Sequence, residues 1–211
     1  MTASRRAGCP GLVTLDVEGV LLPEIWIAIA ERTGVDALAR TTRDEPDYDR
    51  LMQGRLALLD EHGLTMTMIA DVIAGLRPLD GAVEFLDGLR SQTQVILLSD
   101  TFAEFARPLM AMLHWPTILC HSLVIVDDRV VDYRLRIPDQ KRHAVLAFQG
   151  LGYRVVAAGD SYNDTSMLLA ADAGLLFRAP ANVKAEFPQL SAYDTYAELT
   201  AAITAALRSE Y

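Results

Sequence analysis

The amino-acid sequence predicts an α/β fold, a doubly wound parallel sheet with an inserted small helical cap. Three observations predict it. Short apolar runs recur along the chain without the alternation of polar and apolar residues that a half-exposed strand shows. Helical segments separate these runs, and strands that alternate with helices form parallel sheets through right-handed crossovers. One long segment in the first half of the chain breaks this alternation and contains helices alone.

Each predicted strand is a short run rich in aliphatic residues, a composition typical of strands that are buried on both faces. These strands occupy residues 11–15, 94–98, 117–120, 154–158 and 173–177. The helices between and after them are predicted at residues 81–90, 102–113, 141–151, 162–170 and 195–207. The sequence also predicts an antiparallel hairpin added to the sheet, with strands at residues 123–126 and 130–135 joined through Asp127 and Asp128.

The segment without strands is much longer than an ordinary connection between a strand and a helix. Its helices are predicted at 24–33, 48–62 and 66–76, and the residues that punctuate them are Pro23, Gly34, Pro46, Gly63 and Pro78. We therefore predict a helical cap over residues 21–77, inserted into a catalytic core of residues 1–20 and 78–211. The alternative is that these helices cover one face of the sheet.

Composition and charge exclude several classes of protein. The formal net charge of −9 argues against nucleic-acid binding, because proteins hold a phosphate backbone with an excess of Lys and Arg. No apolar stretch is long enough to predict a membrane span. The two cysteines, Cys9 and Cys120, are too few for a disulfide framework, and reduced thiols predict a cytoplasmic protein. Residues 1–11 do not resemble a signal peptide, and we expect residues 1–8 to form a flexible lead-in. The oligomeric state stays open, and a homodimer is one alternative.

The first chemical motif, DVEGV at residues 16–20, lies at the end of the first strand. In open α/β sheets, ligands bind beyond the carboxyl ends of the strands. The carboxylate of Asp16 can attack phosphorus there and form an aspartyl phosphate, which divides one displacement into two easier steps. Glu18 can protonate the leaving oxygen and later take a proton from water. Asp and Gly also end many strands for reasons of turn geometry, so this motif alone is weak evidence.

The second motif, GDSYND, occupies residues 159–164. Asp160, Asn163 and Asp164 fall on one side of a predicted helical turn. Carboxylates grouped in this way suit Mg²⁺, which binds a few carboxylates and retains water. Ser161 and Asp164 also have the spacing of a capping box, but capping needs one carboxylate and does not need three clustered polar groups.

Two further features complete the predicted site. Ser99, Asp100 and Thr101 follow a predicted strand, and the Ser99 hydroxyl with nearby amide groups can hold phosphate oxygens, although the triplet alone resembles a helix N-cap. Lys141 begins a predicted helix and can neutralise a phosphate together with a carboxylate, although many lysines are simply solvated. Together the four features predict phosphoryl transfer, in which catalysis consists mostly of positioning and charge stabilisation.

In their order along the chain, these four motifs closely resemble those of the haloacid dehalogenase superfamily of phosphatases. The resemblance runs from Leu15 to the region of Tyr196. It is closest to the phosphoserine phosphatase branch, and within it to the bifunctional phosphoserine phosphatase/homoserine phosphotransferases. The most specific stretch is DVEGVLLPEIW at 16–26, supported by LDEHGL at 59–64, LSDTF at 98–102 and AGDSYND at 158–164.

The resemblance implies the chemistry of the core. Asp16 would be the nucleophile and Glu18 the general acid/base, and Lys141 would join them in catalysis. The implied cofactor is Mg²⁺. It would be held by Asp16, the main-chain carbonyl of Glu18 and Asp160, with Asp164 in support.

The resemblance also implies how a small substrate, phosphoserine, is held. Ser99 and Lys141 would bind the phosphoryl oxygens. Glu24 and Arg55 in the cap would bind the ammonium and carboxylate groups, because an anion suits the first and a fork of donors the second. Without the motifs, this pair would be an ordinary pair on a helix surface. Tyr48 would form a wall over the substrate. The neighbouring polar residues expected in the same substrate site are Asp100, Thr101 and Asn163.

Two departures from the superfamily pattern point to the bifunctional subgroup. Most members have Asp where Glu18 stands, and the extra methylene moves the proton donor by about 1.5 Å. Common phosphoserine phosphatases have two glycines where this chain has Asp100 and Thr101. The balance between hydrolysis and transfer to homoserine stays open. So do two other readings, a phosphatase for another small metabolite and a non-catalytic phosphate-binding module.

Overall fold

The computed structural model describes residues 9–41, 44–45 and 47–208, which form a seven-stranded sheet flanked by helices. The strands are β1 (Gly11–Leu15), β2 (Gln94–Phe102), β3 (Thr117–Val126), β4 (Arg129–Arg134), β5 (Arg154–Gly159), β6 (Ala173–Phe177) and β7 (Ser191–Tyr193). Across the sheet they follow the order β4-β3-β2-β1-β5-β6-β7, and every neighbouring pair is parallel except β3 with β4. The predicted doubly wound sheet is confirmed.

Helices cover both faces of this sheet. They are α1 (Ile25–Thr33), α2 (Tyr48–Glu61), α3 (Met66–Gly75), α4 (Ala82–Arg90), α5 (Ala103–Met110), α6 (Gln140–Gly150), α7 (Thr165–Ala170), α8 (Ala181–Glu186) and α9 (Tyr196–Arg208). Strand β1 sends Val13 and Leu15 into one hydrophobic cluster and Leu12 into another. Both faces of β1 are therefore buried, which explains why its sequence is apolar without alternation.

The order in which strands are added to the sheet reverses between β1 and β5. Strands β2 and β3 extend the sheet on one side of β1, whereas β5, β6 and β7 extend it on the other. In open α/β sheets, such a switch point opens a crevice at the carboxyl ends of the strands. The motifs around Asp16 and Asp160 follow the two strands that border it.

Several predicted boundaries differ from the structure. Strand β2 continues past Leu98 to Phe102 with a register shift, and β3 joins the predicted strand 117–120 to the first strand of the hairpin. Residues 162–164 form a 3-10 turn, so α7 begins only at Thr165. The sequence prediction missed α8 and β7, since the first is one short helix and the second has only three residues, two of them exposed.

The segment 21–77 contains α1, α2 and α3 with a 3-10 turn at Asp36–Ala39. Its apolar side chains join the larger hydrophobic cluster of the sheet, and the ring of Trp26 packs edge-on against Phe105 of α5 with 5.4 Å between centroids. The turn of the β3–β4 hairpin also holds the start of α3, because Asp128 accepts from the N–H of Thr67 at 2.9 Å. The division into core and cap stays a prediction. The predicted lead-in 1–8 and Pro46 lie outside the described residues.

Within the described residues, no helix combines the length and the apolar character needed to cross a membrane.

Candidate active site

The site begins at the carboxyl end of β1. Asp16 directly follows this strand, its side chain is buried, and its N–H donates to the carbonyl of Ala158 at 2.9 Å. Leu15 is paired with Ala158 in the parallel register of β1 and β5. This register brings the first two sequence motifs together, although they are far apart along the chain.

Three carboxylates form a cluster at this place, and we call Asp16, Asp160 and Asp164 the carboxylate cluster. One oxygen of each lies within 4.8 Å of the others. Asp164 Oδ2 also accepts from the N–H groups of Asp160 at 2.9 Å and Ser161 at 3.1 Å. The capping role of Asp164 that the sequence left open is therefore real, and it coexists with membership of the cluster.

Two glycines make this close packing of carboxylates possible. A Cβ atom on Gly19 would lie 2.5 Å from Asp160 Oδ2, and one on Gly159 would lie 2.4 Å from Asp164 Cγ. Gly19 also has φ +80°, a left-handed conformation that other residues rarely adopt. Any side chain at these positions would displace a carboxylate of the cluster.

Lys141, the second residue of α6, lies at the centre of the buried charges. Its Nζ donates to Asp16 Oδ1 at 2.7 Å and to Asp164 Oδ1 at 2.8 Å, and lies 3.6 Å from Asp100 Oδ2. The side chain is only 2% exposed. Burial disfavours the ammonium, but the three surrounding carboxylates outweigh that cost and raise the pKa of Lys141.

The carboxylate cluster carries more negative charge than Lys141 neutralises. Burial and the charge of Asp164 raise the pKa of Asp16, and burial and the same neighbour raise the pKa of Asp160 to about 7. Clustered carboxylate oxygens with unbalanced charge are the donor set that Mg²⁺ prefers. The residues present therefore fit the predicted metal.

Glu18 lies between the start of α1 and the end of β2. Its Oε2 accepts from the N–H of Ile25, the first residue of α1, at 2.8 Å, and the side chain of Thr101 lies close enough to favour its charged form. Burial and the nearby charge of Glu24 raise the pKa of Glu18 to about 7. A carboxyl group with such a pKa can both donate and accept a proton near neutral pH.

Ser99 lies inside β2 and not at a helix N-cap. The N-cap of α5 is Phe102, which rules out the capping alternative for this triplet. Ser99 Oγ accepts from the N–H of Thr101 at 3.2 Å, so the hydroxyl keeps its own proton for another acceptor. The carbonyl of Ser99 accepts from Gln140 Nε2 at 2.6 Å, which fixes the backbone next to Lys141.

Asp100 is the centre of a polar network that the sequence did not predict. Its carboxylate lies within 3.3 Å of Gln140 Nε2, 3.5 Å of His121 Nε2 and 3.1 Å of Asn163 Nδ2. Burial alone would raise the pKa of Asp100, but Lys141, His121 and Asn163 lower it below its ordinary value. His121 and Gln140 join the site because β2 pairs with β3 and because α6 starts beside β2, and no local sequence signal marks either residue.

The predicted substrate residues of the cap face the same crevice. Arg55 is 8% exposed, its Nη2 donates to the carbonyl of Arg40 at 2.7 Å, and its guanidinium carbon lies 4.5 Å from the ring centre of Trp26. Burial lowers the pKa of Arg55 to about 10. Within the described ranges it forms no ion pair with a carboxylate, and neither does Glu24. Arg55 is therefore not part of a surface pair.

A cavity of about 250 Å³ joins the two sides of the site. Tyr48 lines it, and the Tyr48 hydroxyl donates to the carbonyl of Asp100 at 3.2 Å, so this residue also ties α2 to the core. The other predicted residues that line the cavity are Asp16, Glu18, Glu24, Arg55, Ser99, Asp100, Thr101, Lys141 and Asn163.

A doubly wound sheet with a buried aspartate, lysine and acidic cluster at its switch point defines a class of phosphoryl-transfer enzymes. Residues 11–172 match the haloacid dehalogenase-like hydrolases, and the chain belongs to this family. The family predicted from the motifs is therefore confirmed.

The relatives within this family are more specific. The chain is 62% identical over 189 residues to the phosphoserine phosphatase ThrH of Pseudomonas aeruginosa, covering 89% of this chain and 92% of that one. It is 60% identical over 189 residues to a phosphoserine phosphatase of Pseudomonas syringae pv. tomato, covering 89% of this chain and 80% of the relative. Both names agree with the predicted branch.

Solved structures agree in fold. A substrate-bound phosphoserine phosphatase complex matches with a TM-score of 0.77 at 20% identity, over 92% of this chain and 98% of that chain. A phospho-aspartyl intermediate analogue of phosphoserine phosphatase matches with a TM-score of 0.76 at 20% identity, over 92% and 99%. At this level of identity, the likeness supports the fold alone.

Proposed function

We propose that this chain is a Mg²⁺-dependent phosphoserine phosphatase that transfers the phosphoryl group through Asp16. One observation carries the substrate assignment: the buried guanidinium of Arg55 feels the charges of Glu18 and Glu24 but forms no ion pair with a described residue, and it lines the same cavity as Asp16. A buried, unpaired cation is costly unless a ligand supplies the anion. The 62% identical relative named phosphoserine phosphatase supports the same substrate.

The core residues divide the reaction into two steps. An oxygen of Asp16 attacks phosphorus while the bond to the seryl oxygen breaks, and protonated Glu18 gives its proton to that oxygen. Glu18 then takes a proton from water, whose oxygen attacks the phosphoryl group and releases Asp16 with inorganic phosphate. Ser99 and Lys141 hold the phosphoryl oxygens in both steps.

The metal would complete the charge balance of this site. The residues that would hold Mg²⁺ are Asp16, the main-chain carbonyl of Glu18 and Asp160, with Asp164 in support. Bound there, Mg²⁺ supplies positive charge for the developing charge on the phosphoryl oxygens. The chain itself positions Asp164, through the N–H groups of Asp160 and Ser161.

The cap residues would recognise the amino-acid part of the substrate. Arg55 would bind the carboxylate with its fork of donors, and Glu24 would bind the ammonium group. A sugar phosphate has neither group, so this pair disfavours a general phosphatase. The intact set of Asp16, Lys141 and the acidic residues disfavours a non-catalytic module.

Transfer to homoserine is a second candidate, and Glu18 is the observation that favours it. Its carboxyl group is fixed by Ile25 on one side and Thr101 on the other, one methylene further from the backbone than an aspartate would be. An alcohol bound in the cavity can replace water as the acceptor of the phosphoryl group. A cytoplasmic location and a homodimer stay predictions.

The direct test incubates the purified protein with phosphoserine, Mg²⁺ and homoserine and measures inorganic phosphate and phosphohomoserine separately. We expect inorganic phosphate from the wild type. Phosphohomoserine would support the transferase, whereas phosphate alone would refute it. A wild type that cleaves 4-nitrophenyl phosphate but not phosphoserine would refute the substrate assignment.

A further inference from the structure

We propose that His121 is a positioning residue that holds the Asp100 carboxylate away from Lys141 and so keeps the Lys141 ammonium available to the phosphoryl group. The inference deepens the proposed function and rests on it, because it takes Lys141 as a phosphoryl-binding residue. His121 lies in β3, outside every sequence motif, and its side chain is 5% exposed.

The ammonium group of Lys141 has three donors. Two of them are used by Asp16 and Asp164, at 2.7 and 2.8 Å. Asp100 Oδ2 lies 3.6 Å from the same nitrogen, which is close enough for charge attraction but too far for a hydrogen bond. The third donor is therefore left for a phosphoryl oxygen only as long as Asp100 stays at this distance.

Three polar side chains other than Lys141 surround the Asp100 carboxylate. Asn163 donates a hydrogen bond to Oδ2 at 3.1 Å and Gln140 donates one to Oδ1 at 3.3 Å, while His121 Nε2 lies 3.5 Å from Oδ1, a longer electrostatic contact comparable to the 3.6 Å separation of Lys141 and Oδ2. Gln140 donates more closely to the carbonyl of Ser99, at 2.6 Å, so its position is set by the backbone of β2. His121 is the remaining contact that belongs to a different strand.

The orientation of His121 is determined by the main chain. The N–H of Arg136 donates to His121 Nδ1 at 3.1 Å, so Nδ1 is an acceptor and the ring N–H is on Nε2, which faces Asp100 Oδ1 at 3.5 Å and Gln140 Nε2 at 3.4 Å. The ring packs against Tyr48 and Phe102, with centroids 6.2 and 6.4 Å away. Phe102 is also paired with His121 in the register of β2 and β3.

Loss of the His121 donor has a defined consequence. The Asp100 carboxylate, whose side chain is 28% exposed, would then turn toward another positive group, and the nearest cation is Lys141. Asp100 would then occupy the donor that the phosphoryl group needs, and its charge would repel the phosphoryl oxygens. Both effects weaken the binding of phosphate. Neither can occur when residue 100 has no carboxylate.

The test is a double-mutant cycle of His121→Phe and Asp100→Gly. Phe keeps the ring that packs on Tyr48 and Phe102 but removes the donor. We expect His121→Phe to raise the KM for phosphoserine and the inhibition constant of inorganic phosphate about tenfold, since the hydrogen bond that Lys141 would lose to a phosphoryl oxygen has at least this size. The change in kcat should be smaller, and in the Asp100→Gly background the same substitution should change these constants less than about twofold.

Further measurements separate positioning from a structural role. His121→Gln, which keeps a donor near the place of Nε2, should recover most of the lost affinity. The melting temperatures of the variants should not follow the same order as their affinities for phosphate. Nitrogen NMR of His121 should show the proton on Nε2. Equal effects of His121→Phe in both backgrounds, or a proton on Nδ1, would overturn the inference.

The failure of the proposed function would look different. A wild type that does not hydrolyse phosphoserine refutes that function, yet calorimetric binding of inorganic phosphate to the same four variants still tests the coupling between His121 and Asp100. Phosphate binding without coupling, in a wild type that hydrolyses phosphoserine, refutes the positioning role alone.

Discussion

The two sides of the crevice satisfy their charges differently. On the core side, Lys141 donates to two members of the carboxylate cluster, and Asp164 receives two further backbone N–H groups. On the side of the segment 21–77, the predicted cap, Arg55 and Glu24 line the cavity without an ion pair to any described residue. The core side is therefore held together by its own hydrogen bonds, whereas the cap side lacks partners that a ligand can supply.

This difference separates chemistry from recognition. A charge network that is complete within the protein is preorganised and acts on any phosphoryl group that enters. A buried cation without a partner selects ligands that carry the matching anion. Substitutions on the core side should therefore affect all phosphate esters alike, while substitutions on the cap side should affect phosphoserine alone.

The largest effect is expected for Asp16→Asn, which removes the nucleophile from the core side. Turnover of both phosphoserine and 4-nitrophenyl phosphate should fall about 10³-fold or more. The free energy of unfolding in EDTA should not fall, because the amide oxygen can still accept from Lys141 and one of three repelling charges is gone. Steady-state kinetics and urea unfolding check both parts. Undiminished phosphatase activity would disprove the assignment of the nucleophile.

Gly19→Ala should reduce activity nearly as strongly. The new Cβ would lie 2.5 Å from Asp160 Oδ2 and would displace this carboxylate. A displacement of about 1 Å in a catalytic group can cost about 10²-fold in rate. The Mg²⁺ concentration for half-maximal activity should rise as well, on both substrates.

Gly34→Ala is the matched control. Gly34 also has a left-handed φ, +73°, but nothing lies within 4 Å of its Cβ position. The Gly34→Ala variant should lose about 1 kcal/mol of unfolding free energy because its backbone is strained, and its Mg²⁺ dependence should stay unchanged. Equal changes in Mg²⁺ dependence for both variants would show that backbone strain, and not contact with Asp160, is responsible.

Arg55→Ala should impair the recognition of phosphoserine and leave the chemistry on other phosphate esters intact. The ratio kcat/KM for phosphoserine should fall about 10- to 100-fold, the size of a hydrogen bond to a charged group, and the ratio for 4-nitrophenyl phosphate should stay unchanged. Arg50→Ala is the matched control, since it removes the same charge from the same helix at a side chain that is 77% exposed. Equal losses on both substrates would contradict a separate recognition side.

The smallest effect is expected for Tyr196→Phe. This variant tests whether the contact between α9 and the loop after Asp16 serves stability alone or also substrate recognition. The Tyr196 hydroxyl donates to the carbonyl of Val20 at 2.6 Å. Removing it should cost about 1 kcal/mol of unfolding free energy, with both substrates cleaved at similar rates. A selective loss of phosphoserine turnover would show that the loop takes part in recognition.

The positions of the main strands and of several site residues could be predicted from local sequence patterns. Leucine- and valine-rich runs that precede Asp16, Ser99 and Gly159 locate three parallel strands, and they predict the ends of β1 and β5 but not that of β2, which continues to Phe102. The ends of such strands are where the chemistry of these sheets lies. The functional residues of these ends could be predicted because they immediately follow a recognisable apolar run. The helix predicted at 48–62 is likewise observed, at Tyr48–Glu61.

The tertiary structure determined which polar groups meet in the site, because these contacts join residues that are far apart in the sequence. His121 and Gln140 reach Asp100 only because β2 pairs with β3 and α6 begins beside β2, and neither contact leaves a periodic signal in the sequence. The burial of Arg55 and its lack of a carboxylate partner likewise depend on how α2 packs over the crevice. Local sequence indicates which segments form strands and helices, because the backbone responds to its own side chains. The charges that each group meets depend on distant parts of the chain, which only folding brings within a few ångströms.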